Sequence, residues 1–234
     1  EMFKRGIHFG YSRSRRHPSV TPYIFGFKNR TAIVDLEKTV TLLESAKAFV
    51  RELGRSGHKI VFVGSKPEAR EAVIKGALAI NMPYVAERWI GGTFTNFGQI
   101  KTRIAKLKEL TEAKREGKLP GETKRERAHS DHELSGLDRY FGSLQTLDAL
   151  PKAIFVIDPG HEEIAVAEAT VVGVPVVAVA GVDCNIKGIA YPIVGNDAQL
   201  AGIQFFVDQI VAAYKEGQTL GPVEVPVPFA VPTN

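Results

Sequence analysis

The sequence predicts an α/β protein built on a parallel sheet with helices on both faces. Two observations carry that expectation. Short, wholly apolar runs suit strands buried on both sides, and the longer segments between them have apolar residues stepping by threes and fours. The 234 residues, 44% of them hydrophobic, can bury a sizeable core as one larger α/β domain or two small ones.

The elements follow in chain order. PYIFGFKNRTAIVDL reads as two β-rich runs about a polar KNR turn, an N-terminal extended arm or β-hairpin between Pro22 and Asp35. Asp35 is placed to cap a helix from about Leu36 to Gly54, with Val40, Leu43, Ala46, Val50 and Leu53 on its apolar face. KIVFVG is a buried strand, and Lys66 to Ile80 a helix that Ser65 caps with Pro67 near its first position. AIFVI (153–157) is a strand, His161 to Val172 a helix, PVVAVA a strand and IAYPI another. From Asn196, the residues Leu200, Ile203, Val207, Ile210 and Tyr214 step into a closing amphipathic helix.

Residues 99–142 have another character. They hold eleven basic and eight acidic residues, and Ile100, Ile104, Leu107 and Leu110, then Leu134, Leu137, Phe141 and Leu144, recur at helical spacing on either side of KLPGE. Two charged helices with narrow apolar seams and a Pro-Gly turn predict a protruding antiparallel helical hairpin. The chain then divides into a basic N-terminal arm and β-hairpin (1–35), an α/β domain (36–98 and 143–216), the inserted hairpin (99–142) and an extended Pro-rich tail (217–234). No internal repeat is present.

Composition narrows the function classes. No run approaches the ~18 consecutive apolar residues of a membrane span, and the basic amino end lacks the apolar core of a secretory signal, so no membrane partner is expected. The single cysteine, Cys184, fits a reducing compartment, and a cytoplasmic location is expected. Charge is unevenly spread. Residues 1–30 carry a net +6, and residues 160–234 a net −6. A basic arm on an acidic body is drawn to polyanions in one orientation.

Catalytic patterns find little support among the residues. Gly64-Ser65-Lys66, Asp158-Pro159-Gly160-His161 and Asp183-Cys184-Asn185 follow strands, where parallel sheets bind ligands. Neither the dinucleotide fingerprint nor the Walker phosphate loop is met. His161-Glu162 begins like a zinc helix, but Ala165 stands where the second histidine belongs. Asp158, in a Pro-Gly turn, is read as a local hydrogen-bonding residue and Cys184 as a buried, inert thiol.

RWIGGTFTN (88–96) holds the only tryptophan, a glycine pair, two threonines and an asparagine ahead of a helix carrying Lys101, Arg103, Lys106 and Lys108. Backbone amides and short hydroxyls before a helix suit a phosphate group. Thr93, Thr95 and Asn96 can donate to phosphate or cap the helix, and Arg88 and Trp89 offer charge and a stacking plane. The alternative is a capped helix with a buried tryptophan.

GIHFGYSRSRRHP, PYIFGFKNRTAIVDLEKT, KIVFVGSK, RWIGGTFTNF, LPKAIFVIDPGHEEIAVAEA, GVPVVAVA and YPIVGNDA, in this order, closely resemble the bacterial small-subunit ribosomal protein two family, over about Gly6 to Tyr214. The resemblance implies a flavodoxin-like α/β domain with a protruding helical hairpin, at the junction of head and body of the small ribosomal subunit. It implies binding to small-subunit rRNA, contacts with neighbouring ribosomal proteins including ribosomal protein one, and no catalysis. Tyr11, Gly181-Val182-Asp183 and Ala198 depart from positions the family uses as plausible divalent-ion ligands, so no metal is expected.

The function expected is therefore a structural constituent of the small subunit acting in translation, with no catalytic residues and no cofactor. The expected RNA-binding residues are Arg13, Arg15, Arg16, His17, Lys28, Arg30, Lys66, Arg88, Trp89, Thr93, Thr95, Asn96, Lys101 and Arg103. The alternative is an α/β enzyme that binds a nucleotide or phosphorylated metabolite.

Overall fold

The computed structural model describes residues 1–118, 120 and 123–221. The segment PVEVPVPFAVP of the expected tail, and three residues of the KLPGE turn, lie outside the described residues.

The amino end is more than a free arm with a hairpin. β1 (Phe9–Ser12) joins β2 (Ile24–Lys28) and β3 (Thr31–Val34) in an antiparallel sheet of order β1-β3-β2. The hairpin turn is Asn29-Arg30, with φ of 49° and 65°, the left-handed pair that matches the twist of a tight two-residue hairpin. Val20, Ala32 and Val34 face the main core, and Phe9, Phe25 and Phe27 stay exposed on this small sheet.

Asp35 caps α1 (Leu36–Arg55), its Oδ1 accepting from the Glu37 amide at 3.1 Å. Val40, expected inside, is exposed. Thr39 is the buried neighbour, and its hydroxyl donates to the Val194 carbonyl at 2.7 Å. β4 (Ile60–Val63), α2 (Pro67–Leu78) and a two-residue edge strand β5 (Tyr84–Val85) follow. The helical pair is α3 (Phe97–Arg115) and α4 (Lys124–Phe141). Its predicted seam is buried, and Lys106 pairs with Glu133 and Lys114 with Asp131 (2.6 Å) across the two helices. A reciprocal capping box of Thr123 and Glu126 starts α4.

β6 (Ala153–Ile157), α5 (Glu163–Val171), β7 (Val176–Ala180), β8 (Tyr191–Val194) and α6 (Leu200–Leu220) complete the domain. The five-stranded sheet is parallel throughout, in the order β5-β4-β6-β7-β8. Counted from β4, that is the 2-1-3-4-5 order of flavodoxin-like folds, with its topological switch between β4 and β6.

Every residue of β4, β6 and β7 is buried, which explains their unbroken apolar runs. Alternate side chains feed two cores. Val61, Val63, Ile154 and Val156 pack with the α3/α4 seam, Trp89 and Ala165 of α5, while Ile60, Phe62, Phe155 and Val177 pack with α1, α2 and α6.

The tail boundary needs correction. The sequence suggests an extended tail from residue 217, yet α6 runs to Leu220 and stops at Gly221, whose φ is 70°. Gly217 does not terminate the helix. A side chain there would overlap the Arg51 carbonyl and lie 2.8 Å from the Arg55 amide, so this glycine lets α6 cross α1 closely.

Candidate nucleic-acid interface

The loop before α3 is organised from the inside. Glu168, buried on α5, accepts from the Gly92 amide at 2.6 Å, the Phe94 amide at 2.9 Å and the Thr95 amide at 3.2 Å. Trp89 Nε1 and the Thr95 hydroxyl donate to the same carboxylate, each at 3.3 Å. Burial works to raise the Glu168 pKa, but the three amides and the indole outweigh it and hold the carboxyl below its ordinary value. The amides that the sequence offers to a phosphate are thus already bound to an internal anion.

Three expected RNA ligands are corrected accordingly. Trp89 is 4% exposed and packs edge-to-face on Phe94, with ring centroids 4.9 Å apart, so it presents no stacking plane. Thr93 is 2% exposed, and its hydroxyl donates to the Ile90 carbonyl at 2.5 Å. Thr95 stays exposed, but its amide and its hydroxyl both donate to Glu168 and so are not free to donate to a phosphate. Asn96 stands at the cap position of α3 without a side-chain cap bond and remains exposed. It lines a cleft of about 410 Å³ with Gly91, Gly92 and Arg103. Lys101 faces elsewhere, beside Lys108 and Asp148, so the structure separates Lys101 from Arg103.

The arm and hairpin bring a second group together. The Arg13 amide donates to the Arg30 carbonyl at 2.9 Å, and Thr31 pairs with both Ser12 and Lys28. Arg13, Lys28 and Arg30 therefore meet at one end of the small sheet, with the Arg13 guanidinium 5.1 Å from the Phe27 ring centre. Arg15 is exposed and Arg16 half-buried. His17 is spent in part on local structure, its Nδ1 lying 2.7 Å from the Ser19 hydroxyl and accepting from the Ser19 amide.

At the carboxyl end of the sheet, the expected roles change again. Ser65 does not cap α2. Its amide and hydroxyl donate to the buried carboxylate of Glu162, at 2.7 and 2.6 Å, and Lys66 takes the cap position with Pro67 first in the helix. This is the switch point, where a doubly wound sheet binds a ligand. The Ser65 donors are occupied by the protein's own acid.

Lys66, expected on RNA, turns inward. Its ammonium lies 2.6 Å from Asp158 and 3.4 Å from Asp197; burial works to lower its pKa, but the Asp158 hydrogen bond and the charges of Asp197 and Asp158 outweigh it and raise the value. Asp158 also accepts from the Gly160 and His161 amides, both at 3.1 Å, the local hydrogen bonding expected of a turn aspartate. The Cys184 thiol lies 3.4 Å from Asp158. Burial, then the charges of Asp158 and Asp197, push that thiol far up, the opposite of an activated nucleophile.

Asp158, Cys184 and Asp197 bring three ligand atoms within 4.8 Å of one another, so the fit of a divalent ion can be tested. It is poor. The ammonium of Lys66 already holds both carboxylates, and Tyr11, Gly181 and Ala198 add no imidazole or carboxylate to the set. A dication about 4 Å from that ammonium meets a repulsion of about 8 kcal/mol at an effective dielectric of ~20.

Asp197 is 1% exposed with Oδ1 unpartnered, and burial, then the Asp158 charge, push its pKa up to about 7. A carboxyl that holds its proton more tightly when folded favours folding at low pH, and that contribution is lost as the pH rises toward 7. Asp158 is held down by Lys66, so its own contribution disappears only in the acid range. Melting temperatures of the wild type and Asp197→Asn between pH 5 and 8 check this. The variant is expected to gain on the wild type as pH rises, by up to about 2 kcal/mol. A pH-independent difference contradicts the assignment.

The sequence reading missed Glu162 and Glu168. In HEEIAVAEA they look like ordinary helical acids. Glu168 carried a signal, a lone acid in the apolar run from Ile164 to Ala169, whereas Glu162, between His161 and Glu163, carried none.

Comparison with known proteins adds an independent line. The family model described as Ribosomal protein S2 matches residues 2–217. The chain is 41% identical over 217 residues to the small ribosomal subunit protein uS2 of Chloroflexus aurantiacus strain J-10-fl, covering 93% of this chain and 91% of that one. It is 40% identical to the Chloroflexus aggregans protein of the same name, with the same coverage. Its identity to that of Coprothermobacter proteolyticus is 38% over 218 residues, covering 93% of this chain and 81% of that one.

Proposed function

This chain belongs to the ribosomal protein S2 family, and on that premise we propose that it grips small-subunit rRNA at the head–body junction with fixed surface cations. Family membership makes it a structural constituent of the small ribosomal subunit and not an enzyme. No described helix is long and apolar enough to cross a membrane.

One observation carries the RNA reading. Arg13, Arg15, Lys28, Arg30, Arg88, Lys101 and Arg103 are exposed and form no salt bridge among the described residues, Arg15 alone lying near enough to a carboxylate, exposed Asp183, to act on its charge. By contrast, every Lys and Arg from Lys38 to Lys75 holds a carboxylate or carbonyl oxygen, as Arg51 holds Glu216, Arg55 the Gly221 carbonyl, and Arg70 the Glu87 and Ser65 oxygens. Cations left unneutralised on the arm and around the loop suit a polyanion, whose phosphates they bind while its folded shape supplies selectivity.

Neighbouring ribosomal proteins, ribosomal protein one among them, are the protein partners we infer. The exposed Phe3, Phe9, Phe25 and Phe27 of the amino-terminal region support such contacts. Sedimentation of cell lysate through sucrose tests the whole reading. The chain is expected to travel with the small subunit at low salt and to leave it as salt rises. If it stays at the top of the gradient at every salt concentration, the reading fails. Saturable calorimetric binding of a nucleotide by the isolated protein is the result that the enzyme alternative requires.

A further inference from the structure

We propose that Glu168 is the positioning residue of the rRNA-facing loop, an internal anion that fixes residues 88–96 so that Arg88, Asn96 and Arg103 point outward in one arrangement. The proposal rests on the rRNA reading above and deepens it.

The loop is a concave row of donors. Gly92, Phe94 and Thr95 turn their amides to one side, Trp89 adds its indole N–H and Thr95 its hydroxyl. Such a nest binds an anion, and short charge-assisted bonds make it stiff. Here the anion arrives from α5, over seventy residues away in sequence. Glu168 is nine-tenths buried, so the nest is filled from within and closed to a phosphate.

The geometry on the opposite side follows. Gly92 adopts φ of 91°, and the Asn96 amide bonds back to the Gly92 carbonyl at 2.9 Å, directly ahead of the first residue of α3. Fixing the nest therefore fixes the start of α3 and the cleft that Asn96 and Arg103 line. It also anchors Trp89, whose neighbour Arg88 is exposed beside His161 and Ser65 in a cavity of about 470 Å³. A neutral side chain at 168 cannot serve all five donors, since an amide has one accepting oxygen and turns its own N–H groups toward the rest.

A double-mutant cycle separates positioning from simple stabilisation. Binding of small-subunit rRNA is measured for full-length wild type, Glu168→Gln, Arg88→Ala and the double variant, each shown by circular dichroism to be folded. Glu168→Gln is expected to weaken binding about tenfold, and Arg88→Ala to lose most of its effect in that background, because contacting residues in one network are coupled. Amide hydrogen exchange at Gly92, Phe94 and Thr95 is expected to speed up in Glu168→Gln, and this readout holds even if Glu168→Ala fails to fold. Additive effects of Glu168→Gln and Arg88→Ala, or unchanged exchange at the three amides, overturn the positioning role while leaving rRNA binding intact. Wild-type protein that binds no rRNA brings down the reading beneath it as well.

Discussion

Gly217→Ala is expected to lower the melting temperature by roughly 5–12 °C, the equivalent of about 2–4 kcal/mol, because the added methyl meets backbone and not a movable side chain. Where α6 crosses α1, the Gly217 position faces the Arg51 carbonyl, and the Gly54 position faces the Tyr214 carbonyl. Each helix thus has a glycine against the other's backbone, and the two must separate to admit a side chain at either place. Gly54→Ala is expected to be comparably damaging. Gly136→Ala on α4, with nothing within 4 Å of its added methyl, is the control. It should leave stability unchanged or raise it by up to about 1 kcal/mol, since alanine is the better helix former. Thermal melts of the three variants decide the matter. If Gly217→Ala melts like Gly136→Ala, the close crossing is wrong.

Replacing Arg13, Arg15 and Arg16 together with alanine is expected to reduce rRNA affinity on the order of a hundredfold at physiological salt. It should also lower the slope of log K against log salt by about one unit for each phosphate that is no longer neutralised. Arg13 and Arg15 are exposed and form no salt bridge among the described residues, and Asp183, the carboxylate that Arg15 acts on, is itself exposed, so their removal leaves no buried carboxylate stranded in the protein. Arg13 and Arg30 are tied through the backbone, and substitution of side chains alone leaves that β pairing in place. Arg16 is half-buried, so circular dichroism is needed to show the triple variant folded, and binding is expected to collapse in the folded protein. Filter binding across 50–300 mM salt provides the measurement, ~6-fold in ionic strength being enough to resolve such slopes. An unchanged slope shows that the arm does not touch phosphates.

Much of the architecture was legible because periodicity survives folding. Ile100, Ile104, Leu107 and Leu110 are apolar every third or fourth residue, and those side chains form the α3 seam. Ile60 to Val63 and Ala153 to Ile157 are apolar without alternation, and both strands are covered on two faces. β5 escaped notice because two residues carry no period, and Tyr84–Val85 becomes a strand only by pairing with β4. Gly217 read as a helix end because glycine most often marks one, whereas here it marks a crossing.

The candidate site was legible in its charges and misread in its details. Arg13, Lys28, Arg30 and Arg88 were recognised from a basic segment and its neighbours, and all four are exposed. Trp89, Thr93, Thr95 and Lys66 were assigned to RNA because their side chains can bind phosphate or bases, and each has a partner inside the protein instead.

By itself, then, the sequence determined the family, the α/β alternation, the helical pair and the distribution of charge, all properties written in local pattern and composition. Tertiary structure alone decided which polar groups remain available. A donor's fate depends on whether an acceptor distant in the chain arrives beside it, and Glu168 and Glu162 do so only once α5 packs on the sheet. Chain entropy and hydrophobic burial set that packing, and neither leaves a mark on the nine residues of the loop.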